Sequence, residues 1–270
     1  MVASDTVVGL VGAGILLVAL VGVFVYESGQ GGGGPTDLKP GTYEFTASGK
    51  ASNRAASGTR VPMSQTCAPG QTCVDPQTSV DLTLKGLPDP RGARYVLYAD
   101  GVLMGALEKK GADNYTTNGV KELPNQQKTS ITVYLEPSGT QATPSGPKVF
   151  EKTGITTTES TITGNGTFTI FSSGATLAVS YANGNNITVT LNGATTYNNF
   201  VYRAWMVKED AAGKTFTHIE NGTMETGAIK IQGTVPQSVG SYTYLLVTLD
   251  PRTMFDASAP KGADVARTGL

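Results

Sequence analysis

The sequence predicts an all-β protein, with two tandem antiparallel β-sandwich domains behind one N-terminal transmembrane helix. Three observations carry this expectation. Short runs alternate apolar and polar residues along most of the chain, the chain matches itself at a nearly constant offset, and one long uncharged apolar segment stands near its start.

The apolar segment comes first in the chain. Residues 7–26 contain no charged and no strongly polar side chain. At helical rise, 20 such residues span about 30 Å, the thickness of a bilayer's hydrocarbon core. Tyr26 closes the run where an aromatic ring can rest among headgroups. The segment lacks the basic start and Ala-x-Ala site of a cleaved secretory signal, and no Cys follows it as a lipoprotein would need. It therefore reads as an uncleaved single-pass membrane anchor, 7–27, after a short tail, 1–6. Within it Gly9 and Ala13 stand four residues apart, a small-residue pair suited to close helix–helix approach and self-association. Residues 28–35, Ser-Gly-Gln-Gly-Gly-Gly-Gly-Pro, form a flexible linker with a reach of about 15 Å.

Beyond the linker no long amphipathic helix is legible. Val80, Leu82 and Leu84 alternate with Asp81, Thr83 and Lys85, and Ile187, Val189 and Leu191 alternate with Thr188, Thr190 and Asn192. Ile131–Leu135, Ile155–Ile162, Phe168–Phe171 and Leu245–Leu249 read as further strands. A period of two with one buried face is the pattern of antiparallel strands, and Gly, Pro, Asn and Asp punctuate them. Val80-Asp-Leu-Thr-Leu-Lys-Gly86 also lies above Ile187-Thr-Val-Thr-Leu-Asn-Gly193 at an offset of 107, which carries Tyr95 onto Tyr202 and Tyr98 onto Trp205. Val133-Tyr-Leu-Glu-Pro137 pairs with Val247-Thr-Leu-Asp-Pro251 at an offset of 114. Three matches in order imply duplication, hence a first domain at 36–153 and a repeat-related second domain at 154–270.

Composition removes several classes of function. Lys+Arg number 20 and Asp+Glu 21, for a net charge of −1, so the electrostatic footprint of a nucleic-acid binder is missing. One His and two Cys leave a four-coordinate zinc site short of ligands unless carboxylates supply the rest, and no cofactor is expected. Cys67 and Cys73 enclose Ala-Pro-Gly-Gln-Thr, a turn that brings the sulfurs together. They read as a local disulfide of an oxidising compartment, closing a loop for about 2 kcal/mol. Sequons begin at Asn114, Asn165, Asn186 and Asn221, candidate glycosylation sites. With the disulfide they place the C-terminal domains outside the cytoplasm.

Side chains with chemistry are few. His218 is the lone histidine and lies in an apparent strand with no nucleophile elbow, against a Ser-His-Asp arrangement. Asp89-Pro-Arg-Gly92 and Asp250-Pro-Arg252 read as turns, and Glu108, Lys109 and Lys110 as a charged hairpin tip. Tyr95, Tyr98, Tyr202, Arg203 and Trp205 are the candidate interaction residues. Alternation sets Arg203 and Trp205 on one face of their strand, Tyr202 and Ala204 on the other. The expectation weighed more heavily is that Trp205 fills the sandwich core with Arg203 at its rim.

Gly86-Leu87-Pro88, Tyr95-Val96-Leu97-Tyr98, Gly105-Ala106-Leu107, Val133-Tyr134-Leu135-Glu136-Pro137 and Pro144-Ser145-Gly146-Pro147 follow one another in the first repeat. In that order they resemble the extracytoplasmic C-terminal domain of anti-sigma-K factors. The second repeat keeps Tyr202-Arg203-Ala204-Trp205 and Asp250-Pro251 but loses the Gly-Leu-Pro turn. The resemblance implies a β-sandwich sensory or interaction ectodomain. Only Met1 to Thr6 stand where that family carries its cytoplasmic sigma-binding domain, so sigma sequestration is not implied.

The functional expectation is a non-catalytic binding or structural module, anchored by one span, with a protein or envelope component as partner. One alternative is a subunit of an extracellular filament or surface layer, with Thr36 to Lys50 as a donated strand. A carboxylate-dependent glycan-acting enzyme is the other, and it requires paired Asp/Glu across a deep cleft.

Overall fold

The structure, a computed structural model, describes residues 36–55, 76–118, 121–123, 128–139, 142–155, 160–182 and 184–270. The expected tail, anchor with Gly9 and Ala13, linker, and Cys67–Cys73 pair lie outside the described residues. Among the described residues no helix is long and apolar enough to cross a membrane. The one helical element among the described residues is a single 3₁₀ turn, Val239–Ser241.

The rest is strand. In chain order these are β1 (Thr36–Asp37), β2 (Lys39–Pro40), β3 (Tyr43–Ala55), β4 (Pro76–Lys85), β5 (Ala93–Ala99) and β6 (Val102–Ala106). Next come β7 (Glu108–Lys109), β8 (Asn114–Thr116), β9 (Lys121–Leu123), β10 (Ser130–Pro137), β11 (Lys148–Thr153) and β12 (Ser160–Phe168). The chain continues through β13 (Phe171–Ala182), β14 (Asn186–Ala194), β15 (Phe200–Asp210) and β16 (Gly213–Asn221). It finishes with β17 (Thr223–Glu225), β18 (Ala228–Thr234), β19 (Tyr244–Pro251) and β20 (Ala263–Gly269).

They form four antiparallel sheets. Sheet I runs β12-β3-β4-β8-β7, with β9 also on β4, and sheet II runs β11-β10-β5-β6. Sheet III runs β1-β13-β14-β18-β17, and sheet IV runs β16-β15-β19-β20-β2. The alternating residues do what their period requires. Val80, Leu82, Leu84, Ile131, Val133, Leu135, Val189 and Leu191 are fully buried, while Asp81 and Lys85 face solvent. All four sheets feed one continuous apolar core. Two strand expectations need correction. Phe168–Phe171 is not a strand but the turn between β12 and β13, because its two aromatic ends serve different sheets. Of Ile155–Ile162, Ile155 lies beyond the end of β11 and is not strand, Ser160 to Ile162 open β12, and the residues between lie outside the described ones.

Strand pairing crosses the 153/154 division in both directions. β12, from beyond residue 153, pairs with β3 along all nine of its residues, from Ser160 opposite Ala51 to Phe168 opposite Tyr43. Conversely, Thr36 and Asp37 of β1 pair with Val179 and Ala178 of β13, and Lys39 and Pro40 of β2 pair with Arg267 and Ala266 of β20. The segment Thr36 to Lys50 is thus already used inside its own chain. Side chains reinforce the crossing. The Tyr43 hydroxyl donates to the Asp264 carbonyl at 3.0 Å, Gly92 N–H donates to Lys261 O at 2.8 Å, and Arg91 pairs with the Asp264 carboxylate at 2.6 Å.

Equivalent contacts recur at the offsets read from the sequence. The Tyr95 hydroxyl donates to Pro88 O at 2.8 Å, and 107 residues later the Tyr202 hydroxyl donates to Thr195 O at 2.8 Å. A buried carboxylate stands near the end of β10 and again near the end of β19. Glu136 accepts from the N–H groups of Ser145 and Gly146 at 2.7 and 3.1 Å, while Asp250 accepts from Lys261 N–H at 3.1 Å. Beside each carboxylate a glycine presses against the strand: a Cβ on Gly146 would lie 1.8 Å from Leu135 O, and one on Gly262 would lie 1.8 Å from Leu249 O. Gly146→Ala and Gly262→Ala should therefore each cost at least about 1–3 kcal/mol of overpacking strain. A fall in urea midpoint for both checks this, with Gly240→Ala, which meets nothing within 4 Å, as the neutral comparison.

Candidate functional site

Sheet IV is covered on both faces along its central strands. Every residue of β19, and β15 from Phe200 to Val207, is buried. Tyr202, Ala204, Met206, Leu245, Val247 and Leu249 join the main core. On the opposite face Trp205, Val207, Tyr244 and Leu246 make a second apolar cluster, with Phe216 against it. Trp205 is 0% exposed, as expected of a core residue, but it fills this outer cluster and not the inter-sheet core. The reason is parity: Tyr202 and Ala204 take the inner side, leaving Arg203 and Trp205 the outer one.

Register explains the neighbours. Trp205 lies opposite His218 on β16 and Leu246 on β19, and Val207 lies opposite Phe216 and Tyr244. The Trp205 indole N–H donates to Thr248 Oγ1 at 2.9 Å, which satisfies its one polar atom. One step along, Arg203 is buried with Asp250, their side chains only 4% and 1% exposed and 3.0 Å apart. Arg203 also donates to Asn221 Oδ1 at 2.8 Å and to the Met254 carbonyl at 2.8 Å. Three acceptors on two strands and a loop fix the guanidinium, and with it the loop after β19.

That loop carries the exposed end of the site. Phe255 is 55% exposed, yet its ring is held from below. The Arg203 guanidinium lies 5.0 Å from its centroid, and the His218 ring meets it edge-on at 4.9 Å. His218 in turn sits 4.9 Å from Trp205. Burial pushes the His218 imidazole below its ordinary range, with Glu220 opposing and Arg203 reinforcing the shift. Its Nε2 is buried with no hydrogen-bond partner, so it does not engage a hydroxyl nucleophile. At the other end of the same face Arg267 stacks 3.6 Å above the Tyr244 ring, and Lys214 Nζ lies 3.4 Å from the Tyr244 hydroxyl. A cleft of about 180 Å³ opens there, lined by Tyr43, Lys214, Tyr244, Leu246, Asp264 and Arg267 among others. Lys261 and Ser258 bond the Asp256 carboxyl and hold it well below the usual carboxylate range, stiffening the loop next to Phe255.

The five expected interaction residues meet different fates from the one proposed for them. Tyr95, Tyr98, Tyr202, Arg203 and Trp205 are all buried and offer no surface of their own. Tyr95 and Tyr202 are core posts through their hydroxyl bonds. Tyr98 packs edge-on against Tyr134 at 5.7 Å, and burial, with the nearby Glu136 charge, pushes its phenol up to about 12. Arg203 and Trp205 act from beneath, by supporting Phe255 and His218. Phe255 itself escaped sequence reasoning because a loop residue has no periodicity. The only available signal was an aromatic residue placed four after the Asp-Pro turn.

The four sequons are also distinguished. Asn221 Oδ1 is taken by Arg203, Asn186 Oδ1 accepts from Thr234 at 2.7 Å, and Asn114 Oδ1 is buried. Asn165 on β12 is exposed. Among the described residues no three His, Cys, Asp or Glu side chains converge as metal ligands.

Two outcomes follow. Arg203→Met leaves Asp250 buried and unpaired and should cost roughly 3–5 kcal/mol, read as a lowered denaturation midpoint; the double variant with Asp250→Leu should recover much of it. Burial holds the His218 imidazole below its unfolded value of 6.5 in the fold. Acidification below pH 6.5 therefore protonates the unfolded chain first and removes stability. Thermal melts across that window should slope downward for the natural chain and flatten in His218→Phe.

In comparisons with known proteins, no family model, no curated protein and no solved structure matches the chain.

Proposed function

We propose that this chain is a membrane-anchored extracytoplasmic surface protein that acts by binding, not catalysis, through two tandem β-sandwich domains. The observation that carries the reading is Phe255, an exposed aromatic ring seated on Arg203 and His218 over a fully buried Trp205 floor. Rigid aromatic anchors with arginine beneath them are the composition of interface hot spots. Lys214, Tyr244 and Arg267 extend the same face, so the partner is a protein or envelope component that meets both aromatic and cationic groups.

The anchor rests on the uncharged run 7–26, and the outward placement on that run together with the Cys67–Cys73 spacing and the sequons. Of these sequons, Asn165 is the acceptor that folding leaves open. The shared Tyr95/Tyr202, Glu136/Asp250 and Gly146/Gly262 contacts support a duplicated unit, in keeping with the resemblance to anti-sigma-K ectodomains. Against a carboxylate enzyme, Asp264 is the one carboxylate lining the cleft beside Tyr244, and Arg91 neutralises it.

A membrane-impermeant amine reagent should label the chain on intact cells, and the chain should stay in the membrane pellet after alkaline carbonate washing. Release by carbonate or protection from the reagent would overturn the anchor or the orientation. A photo-crosslinker at position 255 should give a discrete adduct on those cells, while one at Lys208 gives none; equal adducts at both positions would remove the proposed face.

A further inference from the structure

We infer that β12 is a self-association edge: two copies of this chain pair β12 to β12, antiparallel, about a two-fold axis through Gly164. Free strand edges are normally protected by charge, proline, bulges or shortness. The other outer strands follow that rule. β7 carries Glu108 and Lys109, β11 carries Lys148, Glu151 and Lys152, and β16 carries Lys214 and Glu220. β17 and β1 are short and hold Glu225 and Asp37, β2 is Lys39–Pro40, and β6 is five residues long with a bulge against β5. Among the described outer strands β12 alone combines length, nine residues reading Ser-Thr-Ile-Thr-Gly-Asn-Gly-Thr-Phe, with the absence of charge and of proline. One side of it is bonded to β3, and from Thr161 to Phe168 no strand of the described residues pairs with the other. Thr161, Thr163, Gly164, Asn165 and Thr167 are exposed along it.

The occupant is a second copy because the strand is complementary to itself. A two-fold axis at Gly164 keeps inward residues opposite inward residues. Ile162 then faces the partner's Gly166, large against none, and Thr161 faces the partner's Thr167, a favourable hydroxyl pair. Thr163 faces the partner's Asn165, and no like charges meet anywhere. Within the chain β12 is itself held by edge addition to β3, so the second copy repeats on the free side what the fold does on the bonded side. This inference goes beyond the binding role above and stands or falls without the membrane anchor.

The test exploits the Thr163–Asn165 opposition, where both side chains are exposed and unneeded for folding. The full-length chain, purified in detergent and made without N-glycosylation, should dimerise through this seam. The T163K/N165K chain places like charges opposite each other and should weaken association at least tenfold, with an unchanged circular dichroism spectrum. The T163K/N165E chain places opposite charges there and should restore it. In that chain a zero-length carbodiimide should join position 163 of one copy to position 165 of the other, giving a covalent dimer on a denaturing gel. This readout is blind to any contact made by the anchor. No covalent dimer from T163K/N165E, or association indifferent to both charge patterns, overturns the inference.

Discussion

The outer face of the last sheet depends on one buried carboxylate. Asp250 sits at the end of β19, almost without solvent, and holds Arg203 on one side and the Lys261 amide on the other. An unpaired charge in that position would be intolerable, so the guanidinium and the returning loop are bound to stay. From that fixed point the rest follows. Arg203 reaches Met254 and supports the Phe255 ring, His218 closes against it, and Trp205 is sealed underneath. The first half uses Glu136 in the same place, but with loop amides and a serine hydroxyl as its partners and no arginine. The same carboxylate therefore builds a plain loop in one half and a presented aromatic in the other. Val96, where the second half has Arg203, is the residue that makes the difference.

Much of the framework was legible because strands with one buried face advertise themselves. Val80-Leu82-Leu84 and Ile187-Val189-Leu191 were readable from alternation alone, and their match at a fixed offset pointed to contacts that recur. Tyr95 and Tyr202 were singled out together, and both make the same hydroxyl bond to the chain seven residues earlier. What stayed hidden depends on long-range geometry. Alternation in β15 fixes which residues share a face, but it does not say that both faces are covered, so Trp205 went to the wrong cluster. Phe255 lies in a loop and obeys no period. Phe168–Phe171 looked like a strand because four residues cannot separate an apolar strand from a turn with two buried ends.

The crossing of strands between halves was invisible for a related reason. Hydrophobic pattern states that a segment is a strand, not which edge it joins. β12 and β1 each precede the first long strand of one half and lie along the first long strand of the other, while β2 lies along β20. Tyr43, Arg91, Gly92 and Asp264 then tie the two halves through hydrogen bonds and an ion pair. A linear division into domains misses this, since the halves are adjacent in sequence yet share their edges in space.

That exchange has a consequence for how the chain comes into being. Residues 36–40 leave the ribosome, and cross any membrane, ahead of everything they pair with. Their partners in β13 lie some 140 residues later, and those in β20 some 230 residues later. During synthesis β1 must therefore wait, unpaired, until β13 arrives, and β2 until β20 arrives. Local pairing of β3 with β4 can proceed early, whereas sheet III gains β1 only after β13 and sheet IV gains β2 only after β20. Such non-local closure is slow, since loop-closure entropy precedes any contact. Docking of Lys39 and Pro40 onto β20 thus reports that every strand from β3 to β19 has already been made.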